Sequence, residues 1–94
     1  MANFQHRVHT HLARHKRYPH AAQVRRQEGI AQLRFKMNRA GEVLAYRIER
    51  SSGVAALDDA VLAMVRRAQP LPRIPPELAE EEIEFVVSVP FSLR

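Results

Sequence analysis

Phe4, Val8 and Leu12 recur one helical turn apart with polar residues between them. That spacing lays a single apolar stripe along a short helix, and Asn3 suits its N-cap. The stripe stops before Pro19, which suits the first turn of a second, one-to-two-turn helix through Ala21, Ala22 and Val24, with Gly29 just past its end. Residues 4–28 therefore read as a broken helical arm. The apolar period then drops to two. Ala31, Leu33, Phe35 and Met37 alternate with Gln32, Arg34, Lys36 and Asn38, predicting a strand over Ile30 to Asn38 with one wet face. Asn38-Arg39-Ala40-Gly41 carries the residues of a hairpin turn, and Val43 to Arg50 resumes as a second strand with Leu44, Tyr46 and Ile48 on one face.

Ser51-Ser52-Gly53 ends that strand, with Ser52 as cap. Leu57, Val61, Met64, Val65 and Ala68 mark the buried stripe of a helix over about 54–68. Asp58 and Asp59 near its start and Arg66 and Arg67 at its end match the helix dipole, which explains the adjacent aspartates without an acid/base role. Pro70, Pro72, Pro75 and Pro76, followed by Glu80-Glu81-Glu82, predict an extended surface connection over 69–82, a stiff linker. Finally Ile83, Phe85, Val87, Val89, Phe91 and Leu93 alternate with Glu84, Val86, Ser88 and Pro90 to give a third strand at the chain end.

Ninety-four residues make one domain, 1–94, with the arm at 4–28 and a sheet-and-helix core at 30–94. The element order predicts an α+β fold with two main helices and a short one after Pro19 packed on one face of a three-stranded sheet. The second and third strands are joined through a helix, and a right-handed crossover leaves such strands parallel. Placing the first strand between them gives order 2-1-3 with every neighbouring pair antiparallel. Pro90 lacks a backbone donor and fits the outer position of the third strand. Leu57, Val61, Met64, Phe35 and Phe85 fall in the predicted core.

Composition removes several classes of function. There is no cysteine, hence no disulfide, thiol nucleophile or zinc ribbon. No apolar run reaches about eighteen residues, and no signal-like stretch opens the chain. Residues 1–50 hold eleven basic and three acidic side chains and residues 51–94 hold four and seven, so the halves carry +8 and −3. All five histidines lie in the first twenty residues. A basic arm invites an acidic partner, but only Phe4 and Tyr18 interleave with its charges, which argues against a nucleic-acid platform. His11 and His15 share a helix face as a minimal metal pair, yet no third ligand lies near them in sequence. The three glycines form no phosphate loop, and Ser51 and Ser52 have no histidine at a catalytic spacing. The residues point to a non-enzymatic module, without cofactor or metal, that presents an open sheet edge to an extended peptide or to a second copy of itself.

Four landmarks occur in order: Arg17-Tyr18-Pro19 followed by Ala22 and Gly29; Asn38-Arg39-Ala40-Gly41 with Val43; Ser51-Ser52-Gly53 with Leu57-Asp58; and Pro90-Phe91-Ser92-Leu93. The string, from about Val8 to Arg94, resembles the C-terminal domain of the TonB family. The resemblance implies a periplasmic domain of an inner-membrane-anchored energy transducer in a Gram-negative bacterium. Such a domain grips the TonB box of outer-membrane receptors for siderophores, haem or cobalamin and draws on the proton-driven ExbB-ExbD motor. It further implies docking of the box along the last strand, on Glu84, Phe85, Val86, Val87, Ser88, Val89 and Pro90, with an adjoining contact at Arg17, Tyr18 and Pro19. The family's membrane anchor and proline-rich spacer have no counterpart here, so the chain reads as the periplasmic part of a longer protein with Met1 an added residue. A TolA-like or other envelope tether is the alternative, and the lack of cysteine argues against TolA itself.

Overall fold

The computed structural model describes residues 2–93. Six elements follow in order: α1 (Ala2–Ala13), α2 (His20–Val24), β1 (Gly29–Asn38), β2 (Val43–Arg50), α3 (Ala55–Arg67) and β3 (Glu82–Phe91). The strands form one antiparallel sheet in the order β2-β1-β3, as the crossover argument requires. β1 is central, and its odd-numbered residues Ala31, Leu33, Phe35 and Met37 are all buried beneath the helices. α1 contributes Phe4, Val8 and Leu12 to the same layer, and α3 contributes Leu57, Val61, Met64 and Val65. A period of two on the sheet and about 3.6 on the helices thus meet in one core. All five core positions expected from the sequence are buried there, Phe85 the most exposed at 8 %.

The boundaries depart from the sequence reading in four places. α1 begins before Asn3, so that residue lies inside the first turn instead of capping it. α2 ends in a Schellman arrangement, Arg26 N–H to Gln23 O at 3.0 Å and Gln27 N–H to Ala22 O at 2.9 Å, with Arg26 itself left-handed at φ 55°. Gly29, expected at that turn, instead opens β1. A Cβ there would stand 2.6 Å from Ser52 O, so close backbone approach is what requires glycine. β3 stops at Phe91, before Leu93.

The fourth departure concerns the start of α3. Its N-cap is Val54, which makes no side-chain cap, and Ser52 does not cap the helix. Asp58 reaches back from the first turn instead, accepting from Ser51 Oγ, from Ser52 N–H at 2.9 Å and from Ser52 Oγ at 2.7 Å. Burial opposes ionisation of Asp58, but these three donors outweigh it and hold the carboxyl below its ordinary value of 3.8. A depressed folded-state pKa contributes stability that is present above the unfolded value and lost as pH falls through the folded one. Asp58→Ala should therefore cost about 1–3 kcal/mol at neutral pH, and the difference from the parent should shrink as pH is lowered below about 4. Urea denaturation at several pH values measures both; a difference that stays constant into acid would show that the carboxylate is not the source.

The largest correction is the segment 69–81. It is a strap sewn onto the β1–β2 turn, and not merely a surface linker. Leu71 and Ile74 are buried at 3 % and 4 %. Leu71 N–H donates to Gly41 O at 2.8 Å and Ile74 N–H to Arg39 O at 3.1 Å. The Arg39 guanidinium donates in return to the carbonyls of Pro75, Leu78 and Glu80. Prolines fix φ and remove donors only at their own positions, which leaves the residues between them free to pair and to turn apolar side chains inward.

Candidate docking edge

An order of β2-β1-β3 leaves two open edges, and they differ. β2 carries register shifts at both ends, between the pairs Gln32/Leu33 and Lys36/Met37 of β1. Leu44 and Glu49 are the unpaired extra residues, and such bulges blunt an edge. Val43 N–H is moreover taken by Gln69 Oε1 at 2.9 Å. β3 pairs with β1 without interruption over all ten residues, from Gly29↔Phe91 to Asn38↔Glu82.

The parity of β3 follows from two hydrogen bonds. Asn38 N–H donates to Glu42 O at 3.0 Å, so even-numbered residues of β1 face β2 and odd-numbered ones face β3. In the β1–β3 register odd pairs with odd, which turns the main-chain groups of Glu84, Val86, Ser88 and Pro90 outward. The other end agrees: Pro90 has no N–H to lose, and its carbonyl accepts from Lys16 Nζ at 2.6 Å. Glu84, Val86 and Ser88 thus each offer a free-facing N–H and C=O, and Pro90, donor-less and with Lys16 on its carbonyl, closes the row.

Side chains on β3 alternate between two surroundings. Phe85 and Val89 are buried and Val87 is half-buried on the helix side, whereas Glu84, Val86, Ser88 and Pro90 are exposed on the open face. There Glu84 lies 3.5 Å from Arg34 Nη1, and Arg34 Nε bonds Glu49 at 2.8 Å, which also meets Arg47 at 2.8 Å. The hydrogen bond from Arg34 is the main reason the Glu49 carboxyl sits below its ordinary range. Solvent screens these pairs, so their role is to orient Glu84 across the sheet more than to stabilise the fold.

Tyr18 stands at the Pro90 end of the edge. Its ring meets Phe91 edge-on at 5.2 Å, and its hydroxyl donates to Gln27 O. Partial burial, and then the Glu28 carboxylate, raise its phenol above the ordinary value. Pro19 caps α2 behind it and Arg17 is exposed beside it. The fold therefore brings Arg17, Tyr18 and Pro19 to the same end of β3 as Pro90, seventy and more residues away in sequence.

Sequence reasoning missed the flank of α1 along this edge. A groove of about 150 Å³ runs between His9, Leu12 and Ala13 on α1, with Lys16 just past its end, and Val87, Ser88, Val89 and Pro90 on β3, with Met64 beneath. Periodicity could not signal it, because Lys16 lies past the end of α1 at Ala13. His11 and His15 have rings 5.4 Å apart, and His11 Nε2 donates to Ala68 O at 2.7 Å, joining α1 to the end of α3. Among the described residues no group of three or more His, Asp or Glu side chains gathers as a metal site, and no helix is long and apolar enough to cross a membrane.

Known proteins share this fold. Residues 1–89 match the family described as TonB C terminal. Protein TonB of Pseudomonas putida is 46 % identical over 84 residues, covering 88 % of this chain and 35 % of that protein. Protein TonB of Pasteurella multocida is 39 % identical over 83 residues, covering 88 % and 30 %. The chain thus spans about a third of the length of these curated relatives. A solution structure of the Helicobacter pylori TonB-CTD superposes with TM-score 0.86 at 26 % identity, covering 100 % of this chain and 84 % of that one. The HasB CTD does so with TM-score 0.61 at 38 % identity, covering 98 % and 71 %. From the matched stretch, the identities and the shared sheet, the chain belongs to the TonB C-terminal domain family.

Proposed function

We propose that this domain is the periplasmic, receptor-binding end of a TonB-type energy transducer. It takes the TonB box of an outer-membrane receptor as an added strand along Glu84 to Pro90, with Arg17, Tyr18 and Pro19 holding the box at one end. In the whole protein an inner-membrane anchor and the ExbB-ExbD motor would supply the pull that drives uptake of siderophores, haem or cobalamin. The domain itself carries out no catalysis. The observation that supports this most is the contrast between the two edges: β3 is regular, faces Glu84, Val86 and Ser88 outward and ends at a defined stop, while β2 is bulged. Main-chain pairing tolerates many sequences, which suits a transducer serving several receptors.

The test is a substitution pair at each outward position, read by calorimetric titration with a receptor TonB-box peptide. Val86→Pro and Ser88→Pro remove an outward donor that β1 does not use, so the domain should stay folded while binding weakens more than about tenfold. Val86→Ala and Ser88→Ala keep the donor and should bind within about threefold of the parent. Alanine variants as impaired as the proline ones would mean that side chains, not the ladder, carry recognition.

A further inference from the structure

We propose that the outer flank of α1, with the strap beside it, is a docking surface for a bilayer that carries anionic phospholipid, held by headgroup phosphates on Arg7, Arg14 and Arg73. The domain lies against the membrane with β3 still open. The inference stands apart from strand addition, since none of its residues belongs to that edge.

α1 carries no acidic residue, and none occurs in the chain before Glu28. On and just past this helix Arg7, Thr10, His11 and Arg14 follow at i, i+3, i+4 and i+7, which stacks them on one face. With His6, and with Pro72 of the strap opposite, they line a trough of about 270 Å³ that holds no carboxylate. Arg7 also borders a second, wider hollow lined by Arg39 and Arg73, and Glu77 is the one carboxylate on the walls of either. Those walls are fixed. His11 Nε2 donates to Ala68 O at 2.7 Å, and the buried Leu71 and Ile74 seat the strap on either side of Pro72 and Arg73. Among the described residues Arg34 and Arg47 take part in ion pairs, and Arg39, Arg66 and Arg67 in hydrogen bonds. Arg7, Arg14 and Arg73 take part in neither. Guanidinium groups left in this way suit phosphate, whose oxygens accept their paired donors.

Other anionic partners fit this face less well. A protein partner needs an apolar anchor, but the exposed large hydrophobics Val24, Ile30, Leu44 and Val86 all lie on other elements. Nucleic acid needs rings on which to stack its bases, and Phe4, the one aromatic of α1, is buried in the core. Lipid headgroups need only a row of positive charge on an open surface. The face also turns away from the edge: the groove beside β3 is lined by His9, Leu12 and Ala13, on the other flank of α1, and shares no residue with the trough.

The experiment is co-sedimentation of the chain with vesicles of phosphatidylcholine, alone or with phosphatidylglycerol at about 30 %, at low and at physiological salt. The chain should partition onto the anionic vesicles at least about tenfold more strongly than onto the neutral ones, and less so as salt rises. Each basic side chain near such a surface contributes roughly fivefold, so Arg7→Gln combined with Arg14→Gln should weaken partitioning about twentyfold. Arg25→Gln combined with Arg50→Gln removes the same charge from exposed positions outside the trough and should cost less than about threefold. Unchanged melting temperatures check that both double variants are folded. If the two weaken partitioning alike, net charge is responsible and the proposed face is wrong. Displacement by millimolar inorganic phosphate at constant ionic strength would make the trough a single-ion site, and equal affinity for a single-stranded oligonucleotide would make it a general polyanion surface; either result overturns membrane docking. A TonB-box peptide that binds the free chain should bind the vesicle-bound chain within about threefold, whereas competition would put the bilayer on β3 and refute the assignment of the face.

Discussion

Phe85→Ala should destabilise the domain by about 3–5 kcal/mol, a third or more of the stability a domain of this kind possesses. The ring is the link between layers: its centroid lies 5.4 Å from Phe35 on the central strand and 6.1 Å from Phe4 on α1. Removing it leaves a cavity between sheet and helix that neither neighbour can fill without leaving its own packing. At about 4–8 °C per kcal/mol for a chain of this size, the melting temperature should fall by about 12 °C or more. Val86→Ala, one residue on but at 46 % exposure on the opposite face, should stay within about 0.5 kcal/mol. Guanidinium denaturation of the two variants beside the parent decides the matter. Equal midpoints would mean that β3 faces the other way, and the outward row of Glu84, Val86 and Ser88 would be misassigned with it.

Gly41→Ala should cost about 2–4 kcal/mol, far more than a turn glycine usually does. Gly41 has φ +91°, and a Cβ there would stand 2.1 Å from Leu71 O, inside any allowed contact. Relieving that clash pushes the strap away from the turn, breaks the Leu71 N–H to Gly41 O bond and exposes Leu71 and Ile74. Gly53 supplies the control, because it has the same φ of +91° with nothing within 4 Å of the added atom. Gly53→Ala should therefore pay the backbone strain alone, about 1–2 kcal/mol. If thermal melts find the two variants alike, the strap is not seated on the hairpin. Amide exchange at Leu71 and Ile74 gives a second reading, with protection lost in the Gly41 variant and kept in the Gly53 one.

What could be read from the chain is what depends on period and chirality. The alternation from Ile83 to Phe91 set the inward face of β3, and the helical crossover set the strand order, because both follow from rules with few exceptions. Pro90 marked the edge for a local reason, its missing donor. What could not be read depends on contacts between segments distant in sequence. Ser52 looked like a cap because Ser before an apolar stripe usually is one; that Asp58 would claim both serines depended on the angle at which β2 hands over to α3. Arg26 took the left-handed position that Gly29 was expected to fill, since Gly29 was reserved by the approach of Ser52 O. The prolines of 69–76 signalled only the lack of regular structure and gave no sign of Arg39, thirty residues earlier, as the anchor of the strap. Of the candidate edge, the position of the strand was legible but the groove beside it was not, because it exists only once α1 lies across β3.

The unequal edges also govern how this sheet can grow. An open-ended stack of sheets needs two complementary borders on every copy, one to receive and one to offer. Here β2 is interrupted by Leu44 and Glu49, so only one border of each copy is fit to receive. Two copies meeting through β3 would use up both usable borders and form a closed pair, and a captured peptide would do the same to a single copy. Whatever occupies β3 therefore terminates assembly. A domain built this way can keep β3 bare without seeding a fibre.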